Sequence, residues 1–396
     1  MRVAEISNPV SFHTEQWAKQ LIERGVEPYV IYVKDWEGKS IVRTPEYNCE
    51  QFLLNKPKRT KLITSMIRKG RFRTLIRGMM NKTSLHSQLE FYGPIIRKFL
   101  SDNQIDVVHG HYLTEGVLLA HAAKFKPAVI ASWGSDLIRG PQKYPYLRPL
   151  VKRAIEWADV VHTESEISAN IIREIHPIDD DHLFISSWGV DTDFFVREID
   201  AEDFRQKHGI GNQPVIIQFR PLELFYRPEI IIRAFALVLK EIPDAILIVG
   251  NDGSQRQQLI KLCKDLGISD NVIFTGYIYE EEMAKAYAVS DVYIQCPTND
   301  GVSISGMQAM SVGIPIVAND VGETRAFVQD GVSGFFVEEP DNPKSYAEKI
   351  ILLLTDDDLR KKMGTKSREI ALRKHNRKLF LDKYIAIFER LKEQYQ

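Results

Sequence analysis

CPTNDGVSISGMQAMSVGIPIVANDVGE, residues Cys296 to Glu323, decides how this chain reads. Before it, the apolar run Val292 to Gln295 reads as a buried strand. Pro297 breaks that strand into a polar loop, and Ile304, Met307 and Met310 resume at helical spacing. Gly313 stops the helix, and Ile314 to Ala318 forms a second β-branched run. Strand, loop, short helix, strand is how an open parallel sheet carries a ligand loop at the C-terminal ends of its strands. With a helix starting near Ser303, the amides and positive dipole end around Gly301, Val302, Ser303 and Ile304 suit an anion such as phosphate. An ordinary glycine loop capping a helix with serine uses the same residues.

The pattern extends upstream. Pro214 to Arg220 reads as a strand, Pro228 to Lys240 as a helix, Ala245 to Gly250 as a strand, Asn271 to Gly276 as another and Glu280 to Ser290 as a helix. Arg220 and Arg227 flank the loop after the first of these strands. Two guanidiniums there can clamp a diphosphate bidentately, or bridge Glu223 and Glu229 at the surface. Loops at Gly250 and at Tyr277-Ile278 lie on the same edge and outline a nucleotide-sized crevice.

The first half has its own alternation. Strands are expected at Val3–Ser7, Pro28–Val33, Ile105–His109, Ala128–Trp133, Asp159–Thr163 and Leu183–Ser187, with helices at Glu115–Lys124 and Pro145–Trp157. This gives two doubly wound α/β domains, 1–200 and 201–375, joined by a polar linker reaching about Asn212. The C-terminal helix 376–396 presents Phe380, Tyr384, Ile387, Phe388 and Leu391 on one face, suited to docking back on the first domain. His13, His111 and Asp136 stand where they can position or deprotonate a hydroxyl, and His109 reads as a buried histidine bonded to backbone.

At 396 residues the chain exceeds one ordinary core, and its net charge is −1. No apolar stretch is long enough to span a bilayer, and MRVAEIS reads as a strand and not a signal peptide, so a cytoplasmic location is expected. Cys49, Cys263 and Cys296 are widely spaced, as for reduced thiols. His109-Gly110-His111 lacks the ligand set of a zinc site, so no metal is expected. Residues 51–89 contain no acidic residue, while ten basic residues from Lys56 to Lys82 interleave with apolar ones. That pattern suits peripheral attachment to an anionic membrane surface; a solvated helical face is the plain alternative, and nucleic acid is not the expected partner.

Taken together, Ser11-Phe12-His13-Thr14, Trp133-Gly134-Ser135-Asp136, Trp188-Gly189-Val190-Asp191, the Arg220/Arg227 loop and the Asp300-to-Gln308 loop resemble the retaining glycosyltransferases of family 4. The resemblance covers nearly the whole chain. It implies a GT-B fold, two Rossmann-like domains facing across a cleft, and transfer of a sugar from a nucleotide diphosphate sugar to a hydroxyl of a glycan or lipid-linked acceptor, without a cofactor. It also implies that Arg220 and Arg227 contact the diphosphate, Asp300 the donor sugar and Gln308 the ribose. Family members carry glutamates at these last two positions. Exchanging a charge-assisted hydrogen bond for a neutral one implies donor binding weaker on the order of tenfold. Trp133 stands where many members have histidine, which suggests sugar stacking on the acceptor side. The departures at Asp300, Gln308 and Trp133 also fit a nucleotide-sugar-binding subunit with little or no turnover. A dehydrogenase fits poorly, because no Gly-x-Gly-x-x-Gly opens either domain.

Overall fold

The computed structural model describes residues 1–7, 12–33, 51–54, 73–134, 136–137 and 144–396, with side chains described outside 12–16, 32–33, 51–54, 73–84 and 115. The chain divides into two compact units, Met1–Ile185 with Leu381–Gln396, and Ser186–Phe380.

Seven parallel strands form the sheet of the first unit: β1 (Arg2–Ile6), β2 (Glu27–Val33), β3 (Gln51–Leu54), β4 (Val107–His111), β5 (Ala128–Ala131), β6 (Val160–Thr163) and β7 (Leu183–Ile185). Their order is β3-β2-β1-β4-β5-β6-β7, so the winding reverses between β1 and β4. The second unit carries β8 (Val215–Gln218), β9 (Ile246–Gly250), β10 (Val272–Gly276), β11 (Val292–Gln295), β12 (Ile316–Asn319) and β13 (Gly334–Val337). Here the order is β10-β9-β8-β11-β12-β13, reversing between β8 and β11. Val, Ile and Ala runs fill the central strands because helices cover both faces of a parallel sheet, leaving no side for polar residues. Crevices at such reversal points are where doubly wound sheets bind ligands.

The strand expected at Ile105–His109 lies two residues later, so His111 closes β4. Its helix does not start at Glu115. A π-turn, Tyr112–Gly116, precedes the helix Val117–Ala123, with Tyr112 at φ +68°. A Cβ on Gly116 would stand 2.1 Å from the Ile6 carbonyl oxygen, so only glycine admits this close approach. β3 and β13 are short strands without a period-2 signal and were not anticipated. β3 opens the basic segment 51–89, which is therefore not one amphipathic stretch. Its far end lies in the helix Arg73–Asp102, whose Leu89, Tyr92, Ile96 and Leu100 form a buried stripe in the first core. Residues 55–72, with most of the basic cluster, and the side chains of 73–84 lie outside the described residues. No described helix is long and apolar enough to cross a membrane.

The unit boundary falls at Ile185/Ser186, ahead of the expected 200, and the chain rejoins the first unit at Leu381 instead of 376. The segment after β7 looks like a polar linker because exposed charges alternate with anchors. Trp188 packs edge-on to Phe380, and Val190, Phe195 and Ala201 enter the second core. Arg368 holds the Thr192 carbonyl at 2.8 Å. The two strands of chain near the boundary are stitched together within the second unit. Val190 N donates to the His375 carbonyl at 2.8 Å and Arg377 N to the Val190 carbonyl at 3.0 Å, while Ser187 Oγ lies 2.7 Å from His375 Nδ1. Gly189 fits between them at φ +67°.

Burial pushes the His375 imidazole down to about 4. A histidine depressed in the folded state from an unfolded value near 6.5 contributes its stability above that value and loses it as pH falls toward 4. Acidifying from pH 7 to 5 should therefore cost on the order of 2 kcal/mol at this site. Denaturant midpoints measured at both pH values check it: His375→Gln should flatten the difference, and an unchanged pH dependence would contradict the assignment.

Candidate functional site

At the reversal point of the second sheet, β8 and β11 release neighbouring loops. Gln218, buried at the end of β8, accepts from Arg220 N at 2.9 Å and donates to the Gly250 carbonyl at 3.3 Å, tying the exits of β8 and β9. Phe219 lies so close over Gly250 that a Cβ there would stand 2.6 Å from the ring. These contacts aim Arg220 across the edge of the sheet. Its Nη2 sits 2.6 Å from Asp300 Oδ2, with side-chain exposures of 13% and 11%. Nη1 donates to Ser303 Oγ at 3.2 Å and to Ser305 Oγ at 3.4 Å, and the guanidinium lies 4.5 Å over the Tyr226 ring. Burial alone lowers the Arg220 pKa, but Asp300 reverses that, and the group stays charged.

Ser303 also caps the helix Ile304–Val312, its Oγ accepting from Gly306 N at 3.1 Å. Ser305 Oγ meets Tyr293 Oη at 2.8 Å, and Tyr287 Oη donates to the Ser305 carbonyl at 3.0 Å and reaches Gln308 Oε1 at 3.3 Å. Burial pushes the Tyr293 hydroxyl up to about 12 and also raises that of Tyr287 well above its ordinary value, so both remain protonated at neutral pH. The two ends of the stretch quoted above also meet. Glu323 N donates to the Asp300 carbonyl at 3.0 Å, Asn319 Nδ2 to the Pro297 carbonyl at 2.8 Å, and Gly322 at φ +52° abuts Asp300.

Arg227 corrects the expected two-arginine clamp. Its Nε donates to the Cys296 carbonyl at 2.7 Å and a terminal nitrogen pairs with Asp341, so it braces the exit of β11 while Arg220 faces Asp300. Of the other donor-side candidates, Gly301, Ile304 and Gln308 are partly buried and Ser303 is buried in the loop. Val302 belongs to the core. Tyr277 is 76% exposed after β10, and Ile278 packs against the core.

The first unit differs more from expectation. His111 is buried with Nε2 2.6 Å from Glu5 Oε2, so it does not stand open to a hydroxyl. Asp136 is also buried. Its carboxylate accepts from Leu113 N at 2.7 Å, Trp133 N at 2.9 Å and Leu137 N at 3.0 Å, joining the loops after β4 and β5. Burial raises that carboxyl to about 6 against the pull of the amides. His109 is buried as expected, but its partners are Glu5 and, at 2.8 Å, the Tyr384 hydroxyl, not backbone. Trp133 is half-buried, 5.9 Å from the His111 ring. His13 lies in the helix Phe12–Ile22, its side chain outside the described residues. Glu5 was missed, though a carboxylate inside the apolar run VAEI is itself a signal. Glu5 would be raised by burial, yet the two histidines hold it down to about 2, while burial lowers His109 to about 4.

Two family descriptions match the chain, Glycosyl transferase 4-like over residues 2–165 and Glycosyl transferases group 1 over 200–370. Among characterised relatives, N-acetyl-alpha-D-glucosaminyl L-malate synthase of Bacillus anthracis is 26% identical over 72% of this chain and 74% of its own length. GDP-mannose-dependent alpha-(1-6)-phosphatidylinositol monomannoside mannosyltransferase of Mycolicibacterium smegmatis is 30% identical over 46% of this chain and 50% of its own. Among solved structures, a glycosyltransferase from Rickettsia africae superposes with a TM-score of 0.74 at 16% identity, covering 98% of both chains. Anabaena HepE in complex with UDP and glucose gives 0.70 at 17% identity, also over 98% of both.

Gly322→Ala should break the brace behind Asp300, since a Cβ there would stand 2.0 Å from the Asp300 carbonyl oxygen in backbone disfavoured for alanine. A loss of about 2 kcal/mol in chemical denaturation is expected; wild-type stability would show that the loop relaxes freely.

Proposed function

Because the chain belongs to the family 4-like glycosyltransferases and has the GT-B fold, we propose that it is a retaining enzyme moving a sugar from a nucleotide diphosphate sugar to a hydroxyl of a glycan or lipid-linked acceptor. The observation that carries this reading is Arg220, charged and mostly buried beside a serine-capped helix start at the reversal point of the second sheet. A guanidinium and backbone amides in that position stabilise charge growing on a leaving diphosphate without reorganising, the largest contribution such a site makes. The UDP and UDP-glucose complexes of Anabaena HepE support the same class of donor.

In this mechanism Asp300 holds Arg220 in place and orients the donor sugar. The Tyr287 hydroxyl faces Gln308 Oε1, leaving the Gln308 amide nitrogens for the ribose hydroxyls. Exposed Tyr277 offers a stacking face to the base, and half-buried Trp133 offers one to an acceptor sugar. Attack from the leaving-group face retains configuration without a protein nucleophile, and no metal is needed where Arg220 supplies the positive charge. Lys56 to Lys82 are assigned to an anionic membrane surface on which a lipid-linked acceptor would lie. The second reading, a binding subunit with little turnover, is favoured by Asp300 and Gln308 standing where the family has glutamate.

Arg220→Ala should lower kcat by about 100-fold or more in a transfer assay with nucleotide sugars, at least as strongly as it raises KM. Full activity in that variant would sink the assignment. Nucleotide binding by the wild type without turnover across a broad acceptor panel would favour the binding subunit. Gln308→Glu should tighten nucleotide binding in calorimetry, and unchanged affinity would mean that Gln308 does not face the ribose. Pull-down by anionic liposomes should be lost on raising salt, and absence of binding at low salt would refute the membrane assignment.

A further inference from the structure

His109-Gly110-His111 supplies two imidazoles at strand spacing, one short of a metal site; the sheet register supplies a third ligand. We propose that Glu5, His109 and His111 bind one divalent transition-metal ion of the zinc class, in a structural role separate from sugar transfer.

Successive residues of a strand point to opposite faces, so His109 and His111 share one face of β4. β1 pairs with β4 in parallel with Glu5 opposite His109, which brings the carboxylate onto that face. One donor atom from each residue lies within 4.8 Å of the other two. Glu5 Oε2 is 2.6 Å from His111 Nε2 and 2.8 Å from His109 Nδ1. Both imidazoles thus converge on the one oxygen Oε2, and Glu5 Oε1 has no hydrogen-bond partner among the described residues. The cluster thus has more converging lone pairs than its hydrogen bonds use.

The surroundings fit a bound cation. Exposure is 0% for Glu5 and His109 and 1% for His111, and rings of Trp17, Tyr384 and Phe388 wall the cluster at 5.1 to 6.1 Å from the imidazoles. Among the described residues Glu5 forms ion pairs with the two histidines and with no lysine or arginine. A carboxylate removed from water in this way calls for a compensating charge. Two imidazoles and a carboxylate are a zinc ligand set, and the second carboxylate oxygen can complete four-coordination. Ligand atoms in a tetrahedral zinc site lie roughly 3.4 Å apart, so accommodating the ion moves these donors by less than an ångström. His109 Nε2 lies 2.8 Å from the Tyr384 hydroxyl, the outer hydrogen bond that metal-bound histidines usually make. Through Tyr384 the ion would fasten the segment Leu381–Gln396 to the first sheet.

The test uses the full chain, tag removed and purified without chelator, with elemental analysis and melting curves. Zinc near one equivalent per chain is expected, with a lower Tm after chelation that zinc restores, and loss of the metal in Glu5→Gln and in His111→Gln. If those variants do not fold, wild-type protein produced in cobalt medium decides, because cobalt bound by this set gives visible d–d absorption. Metal-free protein whose Tm moves with neither zinc nor chelator, or a cobalt preparation without that absorption, overturns the proposal and leaves a cluster held by protons alone. Zinc retained at full stoichiometry in a folded His111→Gln variant also overturns it, by placing the metal elsewhere.

Discussion

A guanidinium held out of water needs a negative partner within the protein, and the architecture of the second unit follows from that need. Removing one member of a buried pair costs about 3–5 kcal/mol, so Arg220 and Asp300 constrain each other strongly. Asp300 lies on the loop after β11 and Arg220 on the loop after β8, and these strands are neighbours because the sheet reverses its winding there. The ion pair therefore forms where parallel α/β sheets open toward ligands. The remaining contacts keep the pair in place. Gln218 fixes the Arg220 backbone, Ser303 and Ser305 take its second nitrogen, and Glu323 with Gly322 supports Asp300 from behind.

The first sheet has a counterpart at its own reversal point. Glu5 on β1 and the two histidines on β4 meet across the neighbouring strands where the winding turns. There the charged group is enclosed by aromatic rings, whereas the Arg220 loop borders exposed residues such as Leu224 at 73%. Asp136 acts on the same edge through backbone, binding three amides of the loops after β4 and β5. The same sheet plan thus carries two charged centres at its reversal points, a partly exposed Arg220–Asp300 pair in one unit and a closed Glu5–histidine cluster in the other.

Much of this was legible in the sequence, and the misses share a cause. Alternation of apolar runs with helical spacing gave the doubly wound class, and Pro297, Gly301, Ser303 and Gly313 marked the loop and helix that the structure has. Short strands such as Gly334–Val337 carry too few residues for a period to register. Register between strands leaves no trace along one chain, so Glu5 could not be joined to His109 from spacing. Side-chain partners were equally hidden. Arg227 looks like Arg220 in sequence, but it enters its helix at φ +47° with its guanidinium on the Cys296 carbonyl. The 192–212 segment reads as linker because its anchors, Phe195, Ala201 and Phe204, are scattered among charges.

The central claim is that the Arg220 guanidinium and the loop from Asp300 to Ser305 recognise a diphosphate. Calorimetric titration with matched nucleoside diphosphate and nucleoside monophosphate, on wild type and on Arg220→Met, tests it most directly. The account predicts that wild type prefers the diphosphate by a factor on the order of ten or more and that the variant loses most of that preference. An equal preference in a folded Arg220→Met protein would contradict it.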